Sequence, residues 1–179
     1  KIKIGILTAS WKRKDLTAKY CKHIFYLTKL FANEADIVSV IVDSGYCNKE
    51  AANKNDLIYL NYKNQPLSNK FNFGMQYFKN KNIDAVMILG TDNFVCTDLF
   101  KKYIKTIRNK YDLVGVLDSH LYDTISDKMF YFPGYNNHRA GETVGAGRVL
   151  SAKLLKKLNY TPWKNGLSKN LDGSMWKKL

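Results

Sequence analysis

The sequence predicts an α/β fold, a mostly parallel sheet flanked by helices in a single domain. Three observations lead there. Over the first two thirds of the chain, apolar runs of strand length alternate with amphipathic segments of helical period, an order that calls for parallel strands joined by helical crossovers. The apolar runs break off into small or polar residues, as at Thr8-Ala9-Ser10, Asp43-Ser44-Gly45 and Gly90-Thr91-Asp92-Asn93. The 179 residues, 45% hydrophobic and 25% charged, match an ordinary globular domain and suffice for one core.

Each element has its own reason. Lys3–Thr8 reads as a buried strand of pattern Ile-x-Ile-Gly-Ile-Leu. Asp15–Phe31 reads as a helix, because Leu16, Tyr20, Ile24, Leu27 and Phe31 recur at spacings of three and four. Asp36–Val42 and the short Asp56–Asn61 are the next strands. Ser68–Lys79 is helical, with Phe71, Met75 and Phe78 on one stripe, and the very apolar Asp84–Leu89 is a fourth strand. Asp98–Asn109 is an amphipathic helix with Leu99, Tyr103, Ile104 and Ile107 inward, and Leu113–Leu117 is a fifth strand. Beyond it the alternation fails. Lys128–Phe132 reads as a strand, Asn136–Gly147 as a Gly- and Asn-rich loop and Ser151–Leu158 as a helix with a Ser cap. Thr161–Lys169 is loop, and Asp172–Leu179 is a short helix. No repeat, linker or low-complexity tract interrupts the chain.

Charge is the unusual number: 29 Lys+Arg against 15 Asp+Glu give +14, and only Arg13, Arg108, Arg139 and Arg148 are arginine. Nucleic acid, phosphate-bearing substrates and anionic membranes all become candidate partners. No apolar stretch approaches the ~20 residues of a membrane span, so none is expected. Lys1–Gly5 lacks a secretory core and a cleavage site. Cys21, Cys47 and Cys96 are odd in number and have no metal-ligand spacing. Free thiols and a cytoplasmic location are the expectation. The chain does not start with Met, which suits an excerpt of a longer protein.

Ligands of open parallel sheets bind outside the carboxyl ends of the strands. The residues to inspect are therefore Thr8, Ala9 and Arg13, then Asp43 and Ser44, then Asp92 and Asn93. A Gly-x-Gly dinucleotide turn, a Walker loop and a Gly-x-Ser-x-Gly elbow are all missing. The segment Leu89–Phe94 delivers a carboxylate and an amide side by side. Such oxygen ligands suit Mg²⁺ or Mn²⁺ held jointly with a diphosphate, although Asp92 equally suits capping the following turn.

The ordered set of motifs carries a resemblance. It comprises Ile-x-Ile-Gly-Ile-Leu-Thr, Val-Asp-Ser, Ser68-Asn69-Lys70-Phe71-Asn72-Phe73-Gly74, Gly90-Thr91-Asp92-Asn93, Gly145-Ala146-Gly147-Arg148 with Ser151, and Leu171-Asp172. Over nearly the whole chain this resembles nucleotide-sugar glycosyltransferases of the GT-A fold (Rossmann-like), family-two-like. The Lys/Asn-rich composition is similar to versions in large DNA viruses, phages and AT-rich bacteria; for a viral protein the location would be the host cytoplasm. The resemblance implies one domain over residues 1–179, with a nucleotide-binding half, 1–95, and a sugar and acceptor half, 96–179. It implies that Thr8, Ala9 and Arg13 contact the nucleotide, that Asp43 recognises uracil or ribose beside Ser44, and that Lys70, Asn72, Gly74 and Thr91 belong to the same nucleotide site. Asp92 matches the last acid of an Asp-x-Asp metal motif, with Gly90 at its first position and Asn93 following. Asp172 matches the general base of inverting members, with Leu171 where Glu is usual. The expected cofactor is Mn²⁺ or Mg²⁺, and the expected donor a UDP-sugar.

The chemistry fits those roles. Diphosphate departure develops negative charge that a metal ion or a Lys or Arg stabilises, and an attacking hydroxyl loses its proton to a carboxylate. Asn93, His120, His138, Arg139, Gly147 and Trp163 are candidates for the sugar and acceptor side. Each has a plainer alternative: a solvated Lys70, a turn at Gly145 and Gly147, a loop histidine at His120, aromatic core at Trp11, Trp163 and Trp176. The helix near Ser68 could also offer N–H groups to phosphate. The acceptor is a glycan, a protein or a modified nucleic acid. Competing readings are a nucleotidyltransferase making sugar nucleotides, a basic nucleic-acid-binding module, and a transferase acting on DNA that carries a modified base.

Overall fold

The structure, a computed structural model, describes residues 1–179. Strands β1 (Ile2–Ala9), β2 (Ala35–Asp43), β3 (Ile58–Asn61), β4 (Ala85–Gly90), β5 (Leu113–Val114) and β8 (Arg148–Ser151) form one sheet of order β3-β2-β1-β4-β8-β5. The β1–β2, β1–β4 and β2–β3 pairs are parallel, whereas β8 runs antiparallel to both β4 and β5. A separate ribbon pairs β6 (Ser119–Asp123) with β7 (Lys128–Phe132). The helices are α1 (Lys14–Leu30), α2 (Lys49–Lys54), α3 (Leu67–Gln76), α4 (Thr97–Arg108), α5 (Ala152–Lys157) and α6 (Leu171–Trp176). The expected α/β architecture is the observed one.

Strand alternation builds the layers. In β1, Ile4 and Ile6 face a core shared with Tyr20 and Ile24 of α1, Ala52 of α2 and Phe100 of α4. Leu7 points the other way, with Met75 of α3, Leu155 of α5 and Met175 of α6. Both faces of the sheet are thus covered by helices, as a parallel sheet with continuous apolar strands requires. Ser151 caps α5 as expected, accepting from the Leu154 N–H at 3.0 Å.

Five elements differ from expectation. The fifth strand stops after Val114 because the chain leaves the sheet there, and the Val116 carbonyl instead accepts from Val144 N at 2.8 Å. Strand β8 was hidden in sequence by its four-residue length and by Arg148 at its start, which is wholly buried. Strand β6 and helix α2 were hidden because their patterns are polar and short. On α4, Phe100 takes the inward place expected of Leu99, which is half-buried. No helix is long and apolar enough to cross a membrane.

Candidate functional site

The carboxyl ends of β1, β3 and β4 converge on two adjoining clefts. The first, about 280 Å³, is lined by Ala9, Ser10, Trp11, Arg13, Asn64, Gln65, Leu67, Lys70, Thr91 and Ser168. The second, about 220 Å³, is lined in part by Phe71, Gly90, Asn93, Gly145, Trp163 and Asp172. The turn after β4 separates them, with Thr91 on one side and Gly90 and Asn93 on the other.

That turn closes on itself. Asn93 Oδ1 accepts from Gly90 N at 2.6 Å, and Asn93 N donates to the Gly90 carbonyl at 3.0 Å. Asn93, whose side chain reaches back to Gly90, therefore ties the turn, and Asp92 projects outward. Its Oδ2 pairs with Arg13 Nη1 at 2.9 Å, both side chains more than half exposed. Arg13 itself sits in a left-handed conformation (φ 46°) at the start of α1, so its side chain leaves the helix toward the cleft mouth.

Lys70 supplies the buried cation of the first cleft. Its ammonium donates to the Ser10 carbonyl and, at 3.3 Å, to Asn64 Oδ1. Burial pulls its pKa from 10.5 down to about 8, with Asp43 opposing that shift. Two positive groups thus line this cleft, Arg13 exposed at its mouth and Lys70 buried in its wall behind its bonds to Ser10 and Asn64.

The second cleft presents a carboxylate. Asp172 lies in the first turn of α6. Its Oδ1 pairs with Arg148 Nη1 at 3.3 Å, and its Oδ2 accepts from the Tyr135 hydroxyl at 3.4 Å. Arg148 is completely buried on β8, where it also bonds Thr143 through Nε at 3.0 Å and through the Thr143 carbonyl. Burial lowers the Arg148 pKa from its ordinary value and Asp172 raises it, so the two groups depend on each other. Gly145 completes the geometry, because a Cβ there would collide with the Asp172 carboxylate.

Several expected contact residues are used inside the fold instead. The Thr8 side chain is buried and bonded to the Tyr20 hydroxyl, which removes it from the cleft. Asp43 has no exposed surface: Asn48 donates to both its oxygens at 2.9 and 3.3 Å, and the Tyr59 hydroxyl donates to Oδ2 at 3.1 Å. Its carboxylate is spent on holding the end of β2, and Ser44 beside it donates to the Tyr62 carbonyl at 2.6 Å. Asn72 donates to the Trp163 carbonyl at 2.9 Å, and Gly74 allows α3 to press on Val42 and Leu7. The Ser68 N–H is taken by the Leu167 carbonyl at 2.8 Å, so it is not free for phosphate. Trp163 is buried against Phe71, with ring centroids 5.1 Å apart, and touches the second cleft with an edge of the core.

The remaining candidates line neither cleft, although Arg139 and Gly147 stand directly behind the wall of the second. His120 is exposed on the β6–β7 ribbon beside Tyr131, and His138 is exposed on a single 3₁₀ turn. Arg139 is paired with Glu142 at 2.7 Å and stacked 3.6 Å above the Tyr135 ring. Gly147 (φ 75°) donates its N–H to the Ile88 carbonyl, which starts β8 against β4. No group of three His, Cys, Asp or Glu side chains stands close enough to hold a metal ion by itself.

Sequence reasoning missed Ser10, Asn64, Gln65, Ser168 and Arg148. Asn64 and Gln65 follow β3, and the strand-end rule applied to that strand would have found them. Ser168 had no signal, since only the bonds of Ser68 and Asn69 to Leu167 and Gly166 bring its loop to the cleft. Arg148 stood inside a quoted motif, but nothing in a sequence marks an arginine as buried.

The fold is the GT-A-type, Rossmann-like α/β architecture. TarS residues 1–349 of S. aureus superpose with a TM-score of 0.64 at 12% identity, over 96% of this chain and 53% of that one. This chain therefore spans about half the length of that neighbour. The 4-diphosphocytidyl-2C-methyl-D-erythritol synthase of Anaerococcus prevotii superposes with a TM-score of 0.60 at 13% identity, over 99% of this chain and 82% of that one. CMP:2-keto-3-deoxy-manno-octonic acid synthetase complexed with CTP does so at 0.60 and 9% identity, over 99% and 85%. No protein-family model and no curated sequence matches the chain. At these identities the likeness is one of fold.

Proposed function

We propose that the protein is a glycosyltransferase that moves a sugar from a nucleotide-diphosphate donor, UDP favoured, to an acceptor hydroxyl. The observation that carries this reading is the pair of adjoining clefts: one holds Arg13 and Lys70, the other the Asp172 carboxylate. A group-transfer enzyme needs that division, with cations where a diphosphate leaves and a base where a hydroxyl attacks. That a neighbour of the same fold binds CTP supports a nucleotide in the first cleft.

The donor diphosphate lies against Lys70 and Arg13 at the mouth of the first cleft. Its sugar passes the Gly90–Asn93 turn into the second. Arg148 and Tyr135 fix the Asp172 carboxylate in place, and Asp172 accepts the proton of the attacking hydroxyl. Attack in line, from the face opposite the diphosphate, inverts the anomeric carbon. The negative charge left on the diphosphate is neutralised by the two cations.

For a divalent ion the donor set is small. Asp92 is one exposed carboxylate with one oxygen held by Arg13. That fits Mg²⁺ or Mn²⁺ only when the donor's phosphates supply most of the ligands, the usual manner for Mg²⁺ with one or two carboxylates. Arg13 then turns from Asp92 to the phosphate. Bound there, the ion would act as a Lewis acid toward the leaving diphosphate.

A nucleotidyltransferase is the second reading, favoured by the two synthases among the fold neighbours. It requires the free triphosphate as ligand and gives no role to Asp172. Calorimetric titration with UDP, GDP, CDP and CTP, with and without Mn²⁺, separates the two. The glycosyltransferase predicts diphosphate binding with UDP tightest; absence of any diphosphate binding overturns it. Asp172→Asn should keep donor binding and lower turnover about a hundred- to ten-thousandfold. Unchanged turnover would exclude Asp172 as the base.

A further inference from the structure

The β6–β7 ribbon lies outside the sheet and outside both clefts, and no third strand bonds to either of its edges. A two-stranded ribbon is marginal by itself in water, and open strand edges invite pairing. This one is also apolar on both faces. Residues opposed across the pair share a face, so Tyr122, Met129 and Tyr131 stand on one side and Leu121 and Phe130 on the other. All five are more than half exposed, and Ile125 at the tip is 95% exposed. Its two tyrosine hydroxyls are already bonded to neighbouring aspartates. Tyr131 donates to Asp118 Oδ2 at 2.8 Å, Tyr122 donates to Asp127, and Asp123 accepts from Ile125 N at 3.0 Å and from the Ser126 hydroxyl.

Charge selects the occupant. Between Asp118 and Phe132 the chain holds Asp118, Asp123 and Asp127 against Lys128 alone, a local charge of −2 on a chain of +14, which leaves +16 on the rest. We propose that the ribbon docks on the lysine-rich body of a second copy of this chain, reciprocally, in a two-fold dimer. An anionic membrane would be repelled by the same carboxylates. Each copy offers roughly 600 Å² of exposed apolar side chain on the ribbon, of the order of the ~800 Å² per partner of a standard interface. A two-fold arrangement closes, so both ribbons are covered and no further surface propagates.

Sedimentation equilibrium of the unmodified protein tests this. The expected result is twice the 20.6 kDa chain mass at micromolar concentration, shifting toward monomer as salt is raised. Met129→Ser with Phe130→Ser, one change on each face, should give a monomer with an unchanged far-UV spectrum and a melting temperature that no longer depends on protein concentration. Hydrogen exchange on the unmodified protein gives a reading that needs no variant: ribbon amides should lose protection on dilution while β1 and β4 keep theirs. A monomer at all concentrations, a dimer undiminished in the double variant, or ribbon protection independent of dilution would each overturn the proposal. Co-sedimentation with phosphatidylcholine or phosphatidylserine vesicles, lost in the double variant, would assign the ribbon to lipid and overturn it too.

Discussion

Lys70 shows how a single residue ties stability to ligand binding. Its folded-state pKa of about 8 lies below the ordinary 10.5. Between those values the unfolded chain holds a proton that the folded one has lost, so this group's contribution to stability rises with pH across that window. Below about pH 8 the ammonium is charged in both states, and its bonds to Ser10 and Asn64 and the nearby Asp43 offset only part of the cost of burying it. Lys70→Met should therefore raise the melting temperature of the ligand-free protein at pH 7, by about 1–3 kcal/mol of stability. That gain should shrink as pH climbs from about 8 to 10.5. Ligand affinity runs the other way, because only the charged form attracts diphosphate. Titration of UDP against pH should show binding weakening above about pH 8, with proton uptake on binding, and Lys70→Met should remove that pH dependence. A flat profile in the unmodified protein would separate Lys70 from the ligand.

At the scale of elements, the site depends on β8 and on the loops that lean on α3 and α6. Strand β8 runs against its neighbours and so carries Arg148 to the carboxyl end of β4, where it reaches Asp172 of α6. The side chains of Ser68, Asn69 and Asn72 bond the backbone of Leu167, Gly166 and Trp163. That contact joins residues nearly a hundred positions apart and closes one wall of each cleft. Gly145 faces the Asp172 carboxylate with no room for a side chain. Gly145→Ala should therefore lower kcat about tenfold or more through a misplaced carboxylate, while KM for the donor, whose nucleotide and diphosphate are held in the other cleft, stays within about twofold. Steady-state kinetics reads the split; equal loss in both parameters would refute the separate roles of the clefts. Ser151→Ala removes the α5 cap and should cost about 1 kcal/mol in thermal unfolding, with activity retained.

For the whole molecule the question is what +14 does. Nearly half of the lysines lie on exposed helical faces, as Lys101, Lys102, Lys156 and Lys157 do, outside both clefts. Charges farther than ~8 Å from a ligand are largely screened at physiological salt. Replacing those four by Gln should leave UDP affinity within about twofold, whereas Arg13→Ala should weaken it about tenfold. Calorimetry on both variants checks the contrast. If the four-lysine variant lost as much as Arg13→Ala, the general field of the protein would outweigh the local cations.

The sequence by itself determined the sheet, its helical cover and the edge at which the clefts open. Strand alternation in Ile2–Ala9 and helical period in Lys14–Leu30 are local patterns, enforced by burial on one or both faces. It also picked out Arg13, Lys70, Asn93 and Asp172, because strand ends and quoted motifs mark them. Only the tertiary structure decided which polar groups face the clefts. Asp43 and Thr8 stand at strand ends as plainly as Ala9 does, yet Asn48, Tyr59 and Tyr20 take up their side chains. Arg148 looks like a surface cation in the sequence and is wholly buried in the fold. The physical reason is the same in each case. A polar side chain can be buried once a partner satisfies it, and these partners stand 12, 5, 16 and 24 residues away, at separations no sequence pattern encodes.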